Sequence, residues 1–280
     1  MPANLVGILF ALTSALVWGS GDFSGGFAAR KTSQFQVLAL SALSGIGILV
    51  VCALVLREPL PSLRGAIFAM LAGAAGAVGM ASLYKALSMG HAASVAPTTG
   101  VIGAIFPVVF SIITQGLPGT ARLAGFVLAF LGIWMVSGSA TAESRVTRQG
   151  FLLACLAGAG FGGFFILLAQ VEPGKLFTPL IMSRSMTFIT ALLLLWVNHH
   201  PIPALNANPV ALLSGVLDAG GNIFYMLARQ YTRLDVAAVL SSLYPAATVL
   251  LASLLLKERI SRGQWVGVVI CLAAIALITV

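Results

Sequence analysis

The chain has 280 residues, of which 59% are hydrophobic and only 8% are charged, and its formal net charge is +8. Soluble domains carry about 25% charged residues, so this composition excludes a soluble globular domain and predicts an integral membrane protein. The basic residues are scattered between apolar runs, which argues against nucleic-acid binding and suits contacts with anionic lipid headgroups.

Ten apolar stretches, each close to the ~20 residues that cross the hydrocarbon core of a bilayer, predict an all-α protein with ten transmembrane helices. The first five lie near residues 5–27, 34–56, 66–87, 93–115 and 122–139. The second five lie near residues 149–170, 178–197, 209–229, 236–256 and 263–280. The polar segment 140–148 predicts a linker between a first unit, residues 1–139, and a second unit, residues 149–280.

The two units resemble each other at a nearly constant spacing along the chain. Glycines in the first unit align with glycines in the second, in the pairs Gly7 and Gly150, Gly19 and Gly162, Gly73 and Gly215, Gly79 and Gly221, and Gly125 and Gly267. Because each repeat has an odd number of spans, the second begins on the opposite membrane face. The sequence therefore predicts two inverted five-helix repeats, an arrangement typical of secondary transporters.

The second repeat carries a recognisable pattern: Asp235-Val236-Ala237-Ala238-Val239, then Ser241-Ser242-Leu243-Tyr244-Pro245, then Leu256-Lys257-Glu258-Arg259-Ile260. The first repeat has Ser94-Val95-Ala96-Pro97, but Gly116-Leu117-Pro118-Gly119 stands where the acidic loop is expected. The chain resembles the EamA-domain transporters of the drug/metabolite transporter superfamily. This resemblance implies a multi-pass protein of the cytoplasmic membrane, with cytoplasmic termini, that transports a small organic solute. The basic residues divide almost evenly between the two faces, so they do not indicate which face is cytoplasmic.

A polar stripe marks the eighth predicted span. Asp218, Asn222, Tyr225 and Arg229 recur at helical spacing, so their side chains share one face. Intramembrane polar groups either line a cavity or form hydrogen bonds between helices, and both interpretations remain open here.

Arg184 lies inside the seventh span, and its guanidinium stays charged. One alternative is an ion pair with Asp218, and the other is a binding site for a carboxylate or phosphate of the substrate. Asp22, in the first span, is a candidate proton carrier, with an interfacial aspartate neutralised by Arg30 or Lys31 as the alternative.

Other candidates for the lining of a solute cavity are mostly aromatic. They are Trp18, Tyr84, Ser241 and Tyr244. Pro97, Pro107 and Pro245 lie inside the fourth and ninth spans, where a proline removes a backbone hydrogen bond and favours bending. Between the repeats, Asp22 aligns with Phe165, Arg184 with Ser41, Asp218 with Gly76, and Asn222 with Met80, so the embedded charges are not repeated.

The sequence gives no reason to expect a cofactor. The cysteines Cys52, Cys155 and Cys271 lie in apolar runs, and the histidines are too dispersed for a metal site. No nucleotide-binding motif or catalytic constellation is present, so we expect no enzymatic activity. We predict a monomeric secondary transporter that works as an exporter and whose partners are membrane lipids, a small-molecule substrate and a coupling proton. The alternative is a non-transporting membrane sensor or assembly subunit.

Overall fold

A computed structural model describes residues 3–29, 31–88, 92–137, 148–256 and 261–279. Within these ranges the regular structure is entirely helical and comprises eleven helices. They are α1 (Ala3–Ala28), α2 (Gln34–Val55), α3 (Leu63–Ser88), α4 (Ala92–Gln115), α5 (Thr120–Ser137), α6 (Arg148–Leu168), α7 (Phe177–Val197), α8 (Pro209–Tyr231), α9 (Leu234–Ser241), α10 (Tyr244–Leu256) and α11 (Arg262–Thr279).

Seven of the described helices are long and apolar enough to cross a membrane, and three further apolar segments are shorter. The predicted limits lie within a few residues of those observed, with one correction. The ninth predicted span is two helices, α9 and α10, separated at Ser242 and Leu243. Pro245 is the second residue of α10 and has no N–H to donate to the carbonyl of Ser241, so the break lies where the helical hydrogen-bond ladder must fail.

Local signals fix several helix ends. Ser33 and Gln36 form a reciprocal capping box at the start of α2. Asn208 caps α8, and Pro209 opens that helix, where a missing N–H costs nothing. The equivalent helices α2 and α7 end alike, each with the residue after its cap in the left-handed conformation: Arg57 has φ 51° and His199 has φ 55°.

The helices pack mainly between the two halves, in pairs related by a two-fold exchange of the repeats. α1 packs on α8 as α6 packs on α3, and α2 packs on α8 as α7 packs on α3. α4 packs on α6, and the broken pair α9–α10 packs on α1 in the same way. In the α2–α7 and α5–α11 pairs, each helix packs on its own counterpart in the other repeat.

Antiparallel packing of α1 and α8 defines the two ends of the bundle. Thr232 donates a hydrogen bond to the side chain of Asn4 at one end, and Asn208 donates to the carbonyl of Ala28 at the other. We call the end where α1 begins the N-terminal face and the end where α1 finishes the opposite face.

The repeated glycines mark equivalent helix crossings. A Cβ atom on Gly73 would collide with the carbonyl of Ser183, and one on Gly215 would collide with the carbonyl of Ser41. Gly79 lies against the ring of Phe161, and Gly221 lies against the ring of Trp18 in the same way. Small residues at these points let helix backbones approach closely.

These crossings also correct one sequence alignment. Since Ser41 and Ser183 occupy equivalent positions, the counterpart of Arg184 in the first repeat is Ala42, not Ser41.

Candidate functional site

The inward face of α1 changes from buried to accessible part-way along the helix. Ala11, Ala15 and Trp18 lie on one helical face and are buried. Asp22 is the next residue on that face, one turn nearer the opposite face, and it is exposed. An exposed carboxylate beside this buried face indicates an opening next to α1 at the level of Asp22, while α1 stays packed on α8 as far as Ala28.

An aromatic layer lies just below Asp22. The ring centroids of Trp18 and Tyr225 are 6.0 Å apart, those of Trp18 and Phe165 are 5.6 Å apart, and those of Phe165 and Tyr225 are 4.8 Å apart. The Tyr225 hydroxyl donates to the carbonyl of Phe165 over 2.9 Å and is fully buried. We call these three side chains the aromatic layer; they close the interior toward the N-terminal face.

The broken ninth span shows the same change at its break. Every residue of α9 is buried, and the Ser241 hydroxyl donates to the carbonyl of Ala11 over 3.3 Å. Beyond the break, Tyr244 is half-buried and lies near enough to Asp22 to interact with it electrostatically. Accessible interior surface therefore begins at one level on both α1 and α10.

Tyr225 and Ser241, two of the predicted lining residues, lie in this packed region, and Trp18 is buried with them. The prediction that Tyr225 and Ser241 line a cavity is not met in this conformation, because both side chains are fully buried. Each satisfies its hydroxyl on a backbone carbonyl of a neighbouring helix, which residue spacing alone does not reveal.

Arg184 and Asp218 form an ion pair between α7 and α8. Arg184 is buried and lies beside Gly45 of α2, where a Cβ atom would come within van der Waals contact of the guanidinium. Asp218 keeps 36% of its side-chain surface accessible. Of the two alternatives for Arg184, the structure therefore shows the ion pair, and the guanidinium is not free to bind an anion.

Asn222 extends this polar group by one helical turn. Its amide nitrogen donates to the carbonyl of Asp218 over 2.7 Å, while its side-chain oxygen is buried without a hydrogen-bond partner among the described residues. Asp22 differs from Asp218, because no described cation lies within ion-pair distance of it. Arg30, one of its two predicted neutralising partners, lies outside the described residues.

The proline predictions have separate outcomes. Pro107 is buried inside α4, which runs without interruption from Ala92 to Gln115. Pro245 lies directly after the break in the ninth span. The side chains of Pro97 and Tyr84 lie outside the described part of the structure. The bending role of all three prolines stays a prediction.

Contacts at the N-terminal face involve four charged residues that the sequence did not indicate as candidate site residues. Glu58, after α2, accepts hydrogen bonds from the backbone of Leu176 and Thr178, and so caps α7. Glu172, before α7, accepts from the backbone and hydroxyl of Ser62 at the start of α3. Both contacts join the two halves, and a charge beside a loop was the sole sequence signal for either.

The other two charged residues join α9 to the end of α4. Asp235 is completely buried in the first turn of α9 and forms an ion pair with Arg233. Arg233 also donates to the carbonyls of Gln115 and Gly116, where α4 ends. In the sequence, Asp235 stood out merely as part of a family pattern.

Comparison with known proteins bears on both repeats. The family model described as "EamA-like transporter family" matches residues 5–138 and again residues 148–280. One solved structure, titled "Crystal structure of protein", is similar in fold with a TM-score of 0.74 and 18% sequence identity, covering 97% of this chain and 95% of that chain. The comparison with curated proteins gave no significant match.

Proposed function

Because the chain belongs to the EamA-like transporter family, we propose that it is a secondary active transporter. It moves a small organic metabolite or drug across the cytoplasmic membrane by alternating access, in the direction of export. In this proposal the chain crosses the membrane ten times, with α9 and α10 together as one span. Both termini then lie on the N-terminal face, which the family resemblance assigns to the cytoplasm.

One observation carries the proposal: an accessible carboxylate lies directly beside the buried aromatic layer, on its opposite-face side. Asp22 is exposed on an inward helix face, whereas Trp18, one turn away on the same face, is buried. A transporter that works by alternating access requires a state of this kind, closed toward one face and accessible from the other.

The arrangement of the halves supports a second, inverted state. Helix pairs such as α1–α8 and α6–α3 exchange with each other when the repeats are exchanged. If the two repeats exchange conformations, the same contacts produce a protein that is open toward the N-terminal face.

The accessible charges restrict the solute. Arg184 is buried and paired, whereas Asp22 and part of Asp218 are accessible carboxylates on the opposite-face side of the aromatic layer. A carboxylate in a poorly hydrated interior repels an anion. We therefore propose a solute without net negative charge.

Asp22 is also the proposed site of proton coupling. It is an accessible carboxyl group that is able to bind and release a proton at the level where the solute would sit. We expect Asp22→Asn to abolish the pH dependence of transport in proteoliposomes. Unchanged pH dependence in this variant would remove Asp22 as the proton carrier.

Counterflow in proteoliposomes tests the transport function directly. Vesicles loaded with an unlabelled amino acid, nucleoside or cationic drug should accumulate the same labelled compound when the protein is present. Absence of flux across the whole panel, with protein that is folded and inserted, would contradict the proposal.

The alternative is a non-transporting sensor or assembly subunit. The ion pair between Arg184 and Asp218 favours it, because a permanently paired charge also serves a purely structural role. Cysteine labelling separates the two functions. Single cysteines at Asn222 and Ser241, in a protein without its native cysteines, should react from both membrane faces in a transporter and from at most one in a static protein.

A further inference from the structure

We propose that Arg233 and Asp235 form a latch that holds the N-terminal face closed and sets which face of the protein is open at rest. This inference depends on the alternating access proposed above. It assigns a conformational role to two residues that lie outside the solute site.

The geometry of Arg233 joins two helices from different repeats. Its guanidinium contacts both carboxylate oxygens of Asp235, with nitrogen–oxygen distances of 3.0 to 3.2 Å. The same group donates to the carbonyl of Gln115 over 3.2 Å and to the carbonyl of Gly116 over 2.7 Å. Arg233 precedes α9, and these carbonyls end α4, so one side chain connects the two helices.

Charge and backbone conformation both favour this contact. The last carbonyls of a helix have no helical donors and carry partial negative charge, so a guanidinium stabilises them. Gly116 has φ 82°, a conformation that glycine adopts readily and that lets the chain turn directly after α4.

Asp235 fixes Arg233 in position. Asp235 is fully buried and also accepts a hydrogen bond from the backbone of Val236 over 2.8 Å, so its carboxylate is held rigidly. Arg233 keeps 25% of its side-chain surface accessible. The buried carboxylate stays with α9, while the guanidinium is placed to release the carbonyls of α4 when the face opens.

The first repeat has no equivalent latch. With the spacing of 142 residues that relates Gly73 to Gly215, the counterparts of Arg233 and Asp235 are His91 and Ala93. An alanine provides no carboxylate, so the inverted state lacks the buried ion pair. The closed N-terminal face is therefore stabilised by an ion pair whose carboxylate has no counterpart in the sequence of the first repeat.

Spin labels across the N-terminal face test the latch in the full-length protein in lipid. Leu117, in the loop after α4, and Gln230, in the last turn of α8, are both exposed and accept cysteines for labelling once the native cysteines are replaced. We expect Arg233→Gln to increase the population with a long interlabel distance by about tenfold. Arg233→Lys keeps the charge without the forked geometry and should give an intermediate increase.

Two further variants complete the design. Arg122→Gln removes a cation at the start of α5 on the same face and should leave the distances unchanged. Asp235→Asn should reproduce the effect of Arg233→Gln, because Arg233 then loses its anchor. If Arg233→Gln is poorly folded because Asp235 is left unpaired, the double variant Arg233→Gln with Asp235→Asn removes that charge and gives the same readout.

The outcome separates the latch from transport itself. Distances in Arg233→Gln that equal those of the unsubstituted protein, in folded samples that show counterflow, would overturn the latch and leave the transport function intact. A shift in distance without any counterflow would support the latch and contradict the transport function.

Discussion

α3 of the first repeat crosses α7 of the second where Gly73 meets the carbonyl of Ser183, and α8 of the second repeat crosses α2 of the first where Gly215 meets the carbonyl of Ser41. The backbones meet in the same way at both crossings. The neighbouring side chains differ, because Arg184 and Asp218 form an ion pair beside one crossing and their counterparts are Ala42 and Gly76.

This difference separates what a repeated membrane scaffold requires from what a solute site requires. Close approach of helices depends on the absence of a side chain, so both repeats need glycine at the same positions. A charge inside the membrane is costly and needs a partner. A single site per molecule needs such a charge once, so there is no reason for both repeats to carry it. The unrepeated polar groups are therefore the candidates for the proposed solute site.

The largest effect should follow from breaking the ion pair that exists in one half alone. Arg184→Met leaves Asp218 without its partner, and we expect the free energy of unfolding to fall by about 3 kcal/mol. Thermal unfolding in detergent measures this loss. In a double-mutant cycle, adding Asp218→Asn should recover part of the stability. Equal, additive losses from the two substitutions would show that the pair contributes no coupling.

Substitutions at the shared crossings test whether the halves are equivalent. Gly73→Ala and Gly215→Ala each force a Cβ atom against a backbone carbonyl, so each should destabilise the fold by about 1–3 kcal/mol, to a similar extent. Gly26→Ala is the control, because nothing lies within 4 Å of its added methyl group. If one of the two crossings tolerates alanine and the other does not, the packing of the halves is not equivalent.

Much of the fold was predictable from the sequence because it rests on two strong signals. Apolar runs gave the helix limits to within a few residues, and the repeated glycines, which predicted the duplication, lie at equivalent helix crossings. The break between α9 and α10 was not predicted as two helices, because Pro245 indicates a bend without showing its size.

The candidate site was less predictable, because helical spacing shows which face a residue occupies but not where the bundle opens along that face. Tyr225 and Asp218 share a face, yet one is fully buried and the other is partly accessible. Long-range contacts decide the difference. The hydroxyl of Tyr225 is bound by a carbonyl 60 residues away, and no local pattern encodes that partner.

The aromatic layer offers a smaller test of the asymmetry. Tyr225 corresponds to Leu83 in the first repeat, so its hydrogen bond to Phe165 is made once. Tyr225→Phe keeps the ring and removes the hydroxyl, which should cost about 1 kcal/mol of stability. Tyr231→Phe, at an exposed tyrosine, should cost nothing measurable. Equal thermal stability of the two variants would show that the buried hydrogen bond does not contribute.

The smallest effect concerns two equivalent helix starts that are capped by different chemistry. α8 is capped by the amide of Asn208 and α3 by the hydroxyl of Ser62, and Ser62 also donates to the carboxylate of Glu172 from the other repeat. The hydrogen bond from the backbone of Ser62 is the largest cause that lowers the pKa of Glu172 below its ordinary value of 4.5.

A lowered pKa in the folded protein means that the stabilisation from Glu172 is complete above about pH 4.5 and is lost as the pH falls through the lowered value. The unfolding temperature should therefore decline slightly on acidification below pH 4.5, and Glu172→Gln should remove that part of the decline. Because Glu172 lies in a solvated loop, added salt should reduce the effect further. A decline of the same size in Glu172→Gln and in the unsubstituted protein would assign the acid sensitivity to other carboxylates. It would also show that the contact between Glu172 and Ser62 does not contribute to stability.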